Sequence, residues 1–423
     1  MKRLLLWALL VTTAALVTLF ALGARRYGGI SGLIFRVRVE IAERRPASHP
    51  AQVPTPLPTP TPAPAVAPAQ EPDPAHPVTP VVSFTATPSP SPTPTPTSAP
   101  EATSTPAVSL TPVQPAVALS GLHHNWQTWN NCGPATLAMH LSYFGSGLDQ
   151  ETIRRALRPN RNDKNTGPQE LAAFARSQGL QALVRVHGSA ALLRQFLSNG
   201  IPVLVETWIE PKPDDGLGHY RVLTGYDDAR RVWIAYDSFI SKGVRADEPY
   251  HGIAIPYDEL TRGWKVFNDT YLLLYTPEQE PVVRAILGSD WDEQAMWERA
   301  LADARMQVTA TPDDAFAWFN LGTDLAALKR YEEAASAYDR ARQLGLPWRM
   351  LWYQFGPFEA YVAVGRDAEA LALADATLAT TQDVEELYYW RARALSDLGD
   401  EAAARSALER ALTLNPHFAA ASP

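Results

Sequence analysis

One cysteine, Cys132, stands among 423 residues, so the chain forms no internal disulfide and any thiol chemistry falls to that residue alone. No Cys or His pair has the spacing of zinc ligands, which argues against a structural or catalytic metal. A glycine-rich phosphate-binding loop of the Walker type is missing too, and no cofactor is expected. Lys and Arg are scattered rather than gathered into runs and the net charge is −8, so nothing marks a nucleic-acid surface. Aromatic residues all but vanish between Pro46 and Ser120, where the composition turns to Pro, Thr, Ala and Ser. Such a segment cannot bury a core.

What is present divides the chain into four parts. Residues 1–26 open with Lys2 and Arg3, and the 21 residues Leu4–Ala24 carry no charge, enough to span hydrocarbon as a helix. They read as a membrane anchor. A signal peptide cleaved near Ala21-Leu22-Gly23 is the competing reading, although the apolar run exceeds the ~7 to 15 residues of a signal core. Lys2 and Arg3 on one side nearly balance Arg25 and Arg26 on the other, so charge alone says little about orientation. Residues 27–117 read as a disordered Pro/Thr-rich stalk, extended at ~3 Å per residue where proline dominates. Stalks of this kind are commonest on the outer face of membranes, which places the remaining domains outside the cytoplasm, or in a secreted protein if residues 1–26 are removed.

Residues 118–277 predict an α+β domain. A helix starts at Cys132, a second at Asp149–Leu157, a third runs from Thr166 to Gln178 and a fourth covers Ser189–Ser198, with Asp149 and Glu170 as cap-forming residues. Strands follow or intervene at Leu180–Val186, Ile201–Trp208, His219–Tyr226, Arg231–Tyr236 and Thr270–Tyr275, and residues 227–230 make a hairpin turn. Helices first and an antiparallel sheet afterwards give the α+β class. Residues 281–423 read as helix pairs with a period near 34. Trp318, Leu321, Gly322, Leu325, Tyr331, Ala334, Tyr338 and Ala341 define one unit, and Tyr361-Gly365-Ala370 and Tyr388-Ala392-Leu395-Gly399-Ala404-Ala411 mark two more. This region resembles an all-α array of tetratricopeptide repeats, which implies a protein partner or substrate bound by the repeats. Trp318, Trp352, Tyr361, Tyr388 and Trp390 read as core residues of that array.

Chemistry centres on Cys132. At a helix N-terminus the unpaired N–H groups and the dipole favour a thiolate. A solitary cysteine taken by itself is more often inert, but three other features converge on this one. His219 begins one strand of the hairpin and Asp237 ends the other, so folding the turn makes them neighbours, with His219 as base and Asp237 as its orienter. Asp227 is the substitute orienter if Asp237 lies too far. Gln127, five residues before the thiol, can aim its amide at an oxyanion beside the Cys132 N–H. His123 and His124 read as exposed edge residues and His140 as packed or solvated. Trp126 and Trp129 either shape a subsite or pack the domain edge.

Gln127, Cys132-Gly133-Pro134-Ala135, Gly218-His219-Tyr220, Gly225-Tyr226-Asp227 and Asp237 together resemble the papain-like cysteine peptidases, and among them the bacteriocin-processing, double-glycine-leader family, over roughly residues 127–275. The resemblance implies a Cys132–His219–Asp237 triad with Gln127 at the oxyanion, acting on peptide or other amide bonds through an acyl-enzyme. Alternatives are a binding scaffold with a peptidase-like fold, and an acyltransferase or amidase sharing the same acyl-enzyme.

Overall fold

Register, more than composition, decides where the catalytic candidates meet. The computed structural model describes residues 109–418 apart from 242, 243 and 245–247, together with 52–57 and scattered positions from 18 to 37. Most of the segment read as a membrane anchor, and most of the stalk, lies outside the described residues. Among the described residues no helix is long and apolar enough to cross a membrane.

One antiparallel sheet forms the spine, with strands β1 (Ala116–Ala118), β2 (Gln181–Arg185), β3 (Val203–Ile209), β4 (Leu217–Asp227), β5 (Val232–Asp237), β6 (Ile253–Pro256) and β7 (Tyr271–Tyr275). Their order is β2-β7-β3-β4-β5-β6, and β1 pairs with β4. Sequence alone marked neither β1 nor β6 as strands; both are short, and β1 falls in the stretch whose composition resembles the stalk. Alternation along the strands sorts the side chains to two faces. Leu204, Tyr220, Leu272 and Leu274 pack under α1 (Cys132–Ser142), α2 (Gln150–Leu157) and α3 (Pro168–Ser177). Val203, Val205, Tyr226, Trp233 and Tyr271 face α4 (Ala190–Ser198), α5 (Tyr257–Lys265) and α6 (Glu280–Leu287). Capping follows the sequence: Asp149 Oδ1 accepts from Thr152 N at 2.7 Å, Ser189 Oγ from Leu192 N at 3.2 Å, and Glu170 Oε2 from Gly167 N at 2.6 Å.

Helix α7 (Glu293–Ala310) leads into three pairs: α8 (Ala315–Ala327) with α9 (Tyr331–Leu344), α10 (Gly356–Ala363) with α11 (Asp367–Leu378), and α12 (Glu385–Asp397) with α13 (Glu401–Leu414). These are the three units that the spacing predicts. The array does not hang from the sheet domain by a linker. Trp208, Val266 and Phe267 are buried in the same apolar core as Phe319, Tyr338, Met350 and Phe358 of the repeats. Polar contacts reinforce the seam: Lys265 Nζ meets Asp314 Oδ2 at 2.6 Å, Asn268 Nδ2 donates to Asp324 Oδ1 at 2.6 Å, and Asn165 Nδ2 to Glu386 Oε1 at 2.8 Å.

The stalk expectation requires one correction. Within residues 27–117, Val53 is buried in the repeat core, and residues 109–118 lie along the sheet domain, with Leu119 N and Asp228 N bonded across to Thr224 O and Pro115 O. A Pro-rich sequence cannot make its own core, but it can lend single apolar side chains and free carbonyls to another one.

Candidate active site

Cys132 is the first residue of α1 and half-buried. Pro134 follows within the first turn, where its missing N–H leaves no helix bond unmade. The loop before it is organised by the buried Gln150 side chain. Its Oε1 accepts from Thr128 N at 2.9 Å and Asn131 Nδ2 at 2.7 Å, while its Nε2 donates to Asn125 Oδ1 and the Trp126 carbonyl at 2.7 Å each. Gln127 is fixed from the other side. Its N–H donates to Ser238 O at 2.9 Å, and Ser238 Oγ donates to Gln127 Oε1 at 2.9 Å. With the carbonyl end so occupied, the amide Nε2 is the end left for the cleft that Gln127 and Cys132 line together.

His219 and Asp237 meet through strand register. Arg221 of β4 lies opposite Asp237 of β5, so His219, two residues back on the same face, reaches Asp237 diagonally. Thr207 Oγ1 donates to the His219 carbonyl at 3.0 Å from the neighbouring strand β3, pinning that end of β4. His219 Nε2 donates to Asp237 Oδ1 at 3.0 Å. The same oxygen accepts from Phe239 N and Ile240 N at 2.7 Å each, and Oδ2 accepts from Arg221 Nε at 2.8 Å. His219 therefore has Nδ1, which is buried and makes no hydrogen bond of its own, as the nitrogen left to face the thiol. Asp227, the substitute orienter, lies at the far end of β4 opposite Val232 and accepts from Arg230 N in the turn.

Electrostatics follow from burial and these partners. Burial opposes ionisation of Cys132, but the neighbouring His219 imidazole, then Arg158 and the Gly133 N–H, outweigh it and hold the thiol below its usual pKa. Burial likewise opposes the imidazolium of His219, yet the Asp237 carboxylate and the Cys132 thiolate raise it to about 9. Asp237 stays ionised, since His219 and Arg221 override the penalty of burial. Both shifts favour the thiolate–imidazolium form of the pair.

Several neighbours escaped the sequence reading. His124, expected to be exposed, is partly buried. Its Nε2 donates to the Asp237 carbonyl at 2.9 Å, its ring stacks on Tyr250 at 3.5 Å, and burial lowers its pKa to about 4. His140, read as packed or solvated, is packed: it is fully buried in α1, and burial lowers it to about 3. Glu206 of β3 lines a narrow pocket with Cys132, Gly133, Thr166, Gly218 and Tyr220. Burial chiefly, with the Cys132 charge adding to it, pushes Glu206 up to about 8. A lone acid in the otherwise apolar run VLVETWI was the available signal. Arg158, fully buried, donates to the Asp163 and Trp129 carbonyls and adds positive charge near the thiol.

The larger cleft, about 330 Å³, has Gln127, Trp129, Cys132, Leu217 and Phe239 on the sheet-domain side and Arg349, Trp352 and Tyr353 from the repeats on the other. Trp352, read as array core, is thus also cleft wall. Tyr353 closes on Gly218, where a Cβ would stand 3.2 Å from its ring and 3.1 Å from Phe267. Arg349 is held at the rim by Asp215 Oδ1 at 2.6 Å and the Gly216 carbonyl at 3.0 Å.

The ionisations give a pH prediction. Alkylation of Cys132 by an anionic reagent such as iodoacetate is expected to slow as pH rises through 8 to 9, first as Glu206 (about 8) places a negative charge in the pocket and then as His219 (about 9) loses the positive charge that draws the reagent in. In Glu206→Gln the alkaline limb should move up toward the His219 value. A rate profile unmoved by the substitution counts against an electrostatic role for Glu206.

Residues 119–262 match the model of the Peptidase_C39-like family, and residues 385–418 and 315–345 match tetratricopeptide repeat models. The chain carries a Peptidase_C39-like domain followed by tetratricopeptide repeats. Among solved structures it is similar to a putative C39-like peptidase from Bacillus anthracis (16% identity, covering 38% of this chain and 98% of that one, TM-score 0.29). It is similar to the peptidase domain of Streptococcus ComA (18% identity, 37% and 99%, TM-score 0.30). In the repeats it is similar to MamA from Desulfovibrio magneticus (19% identity, 29% and 69%, TM-score 0.27). No curated protein matches the chain.

Proposed function

We propose that the protein is a cysteine peptidase that cleaves peptide bonds through a thioester on Cys132. The observation that carries this reading is the braced pair of Asp237 and His219 beside Cys132, with His219 Nε2 bonded to Asp237, its Nδ1 left unpartnered, and Gln127 and Cys132 lining one cleft. His219, as imidazolium, protonates the leaving amine after the Cys132 thiolate attacks the carbonyl carbon. Gln127 Nε2 and the Cys132 N–H stabilise the oxyanion. Water, deprotonated by His219, then releases the acyl group. The repeats recruit a protein substrate or partner, and residues 1–26 anchor the enzyme with its catalytic part outside the cytoplasm.

The test is peptide-library cleavage by the full chain beside Cys132→Ala. Specific cleavage lost in the variant is the expected result. A wild-type protein that cuts no peptide, or a variant that cuts as well, overturns the proposal.

Because the repeats supply one wall of the cleft, they should affect binding directly. Trp352→Ala is expected to raise KM for peptide by about tenfold, the usual worth of one lost apolar subsite contact, while Cys132 alkylation by a small reagent stays unchanged. An unchanged KM removes Trp352 from the subsite.

A further inference from the structure

Residues 52–56, Gln-Val-Pro-Thr-Pro, lie against the repeats in a defined manner. Gln52 pairs antiparallel with Pro347, and Val53 N donates to the Leu346 carbonyl at 2.9 Å. The Val53 side chain is 4% exposed and shares the apolar core of Leu346 and Met350. The next two carbonyls, of Pro54 and Thr55, accept from Arg342 Nε at 2.9 Å and Nη2 at 3.1 Å. Arg342 is itself buried and preset: its Nη1 donates to Tyr361 Oη at 2.9 Å and Glu369 Oε1 at 2.8 Å. Gly345, with φ +101°, lets the strap approach, since a Cβ there would stand 2.6 Å from the Gln52 side chain.

These contacts have the character of peptide recognition. Proline holds the segment extended and turns its carbonyls outward, and one guanidinium fork reads two of them in succession. Val53 supplies the anchor in an apolar pocket. The strap's partner strand, Leu346-Pro347, runs without interruption into Trp348–Tyr353, the stretch that holds Arg349, Trp352 and Tyr353 against the cleft of Cys132.

We propose that the connection between α9 and α10 is a two-sided element. One side is a binding site for an extended Val-Pro-Thr-Pro peptide, filled by the chain's own residues 52–56. The other side is the cleft wall, so occupancy of the first sets the position of the second. The turnover consequence rests on the cysteine peptidase reading, whereas the binding site itself does not.

Val53→Asp in the full chain is the test, because a carboxylate cannot enter that core and the residue lies outside the repeats' own helices. Amide exchange over residues 346–353 should rise about tenfold or more, the opening that loss of one buried Val side chain permits, while residues 385–414 keep their protection. An excess of a synthetic peptide of residues 50–58 should restore protection, and a peptide carrying Asp in place of Val53 should not. KM for a cleaved peptide should change with loss of the strap and recover with the free peptide. Exchange that does not change, that rises equally through residues 385–414, or that free peptide fails to restore overturns the proposal. Failure of the peptidase reading would show instead as absence of turnover in every form, with the exchange results intact.

Discussion

His219→Ala is expected to lower kcat/KM by about four orders of magnitude and to return Cys132 alkylation to the pH dependence of an ordinary buried thiol. The imidazole is the largest of the influences that lower the Cys132 pKa against burial, ahead of Arg158 and the Gly133 N–H, so its removal leaves desolvation in control. The fold should survive. Asp237 keeps Arg221 and the N–H groups of Phe239 and Ile240, and the carboxylate is not orphaned. Linkage gives this variant a signature. His219 is raised from 6.5 to about 9, so its contribution to stability is fully present below pH 6.5 and is lost as pH rises through about 9. The deficit in urea midpoint should therefore be largest below pH 6.5 and shrink above 9 to the pH-independent cost of the cavity. Asp237→Asn should instead damage the fold. An amide cannot accept at both oxygens, and it leaves the buried Arg221 guanidinium without its counter-charge, a loss of about 3 to 5 kcal/mol. Retention of wild-type kcat/KM within tenfold in His219→Ala would remove the histidine from the mechanism.

Much of this centre was legible because it rests on local rules. A Gly-Pro after the thiol announces a helix N-terminus, and a four-residue turn between two apolar runs makes His219 and Asp237 neighbours whatever surrounds them. Side-chain order along the chain was enough to name Gln127, Cys132, His219 and Asp237. What sequence could not show is contact between parts distant along the chain. Trp352 has the spacing of a repeat core residue, and only the docking of the α9–α10 connection onto Leu217 and Gly218 puts it in the cleft. Val53 sits in a Pro/Thr tract whose composition gives no reason to expect burial, because the pocket that receives it belongs to the repeats. His124 looked exposed because its partners, Tyr250 and the Asp237 carbonyl, lie more than a hundred residues away in sequence.

Cutting the chain between the sheet domain and the repeats is expected to unfold the first part rather than release a smaller folded domain. A fragment of residues 109–292 keeps every strand and α1 to α6, yet it exposes Trp208, Val266 and Phe267, which pack into the repeat core. At about 1.5 to 3 kcal/mol for each large side chain returned to water, the loss is comparable to the whole stability of an ordinary domain. Paired groups suffer as well. Asn268 loses Asp324, Lys265 loses Asp314 and His187 loses Asp303. The active site opens too, since Gly218 was shaped to receive Tyr353 and the cleft has no far wall without Arg349 and Trp352. The fragment should show no cooperative thermal transition and bind a hydrophobic dye, and residues 293–423 supplied as a second chain should restore both the transition and Cys132 reactivity. A soluble fragment melting within a few degrees of the full chain would mean that the two regions are independent domains. The cluster shared across the seam instead makes the repeats part of the C39-like domain's structure, so that mutations along it should act on substrate binding and on folding together.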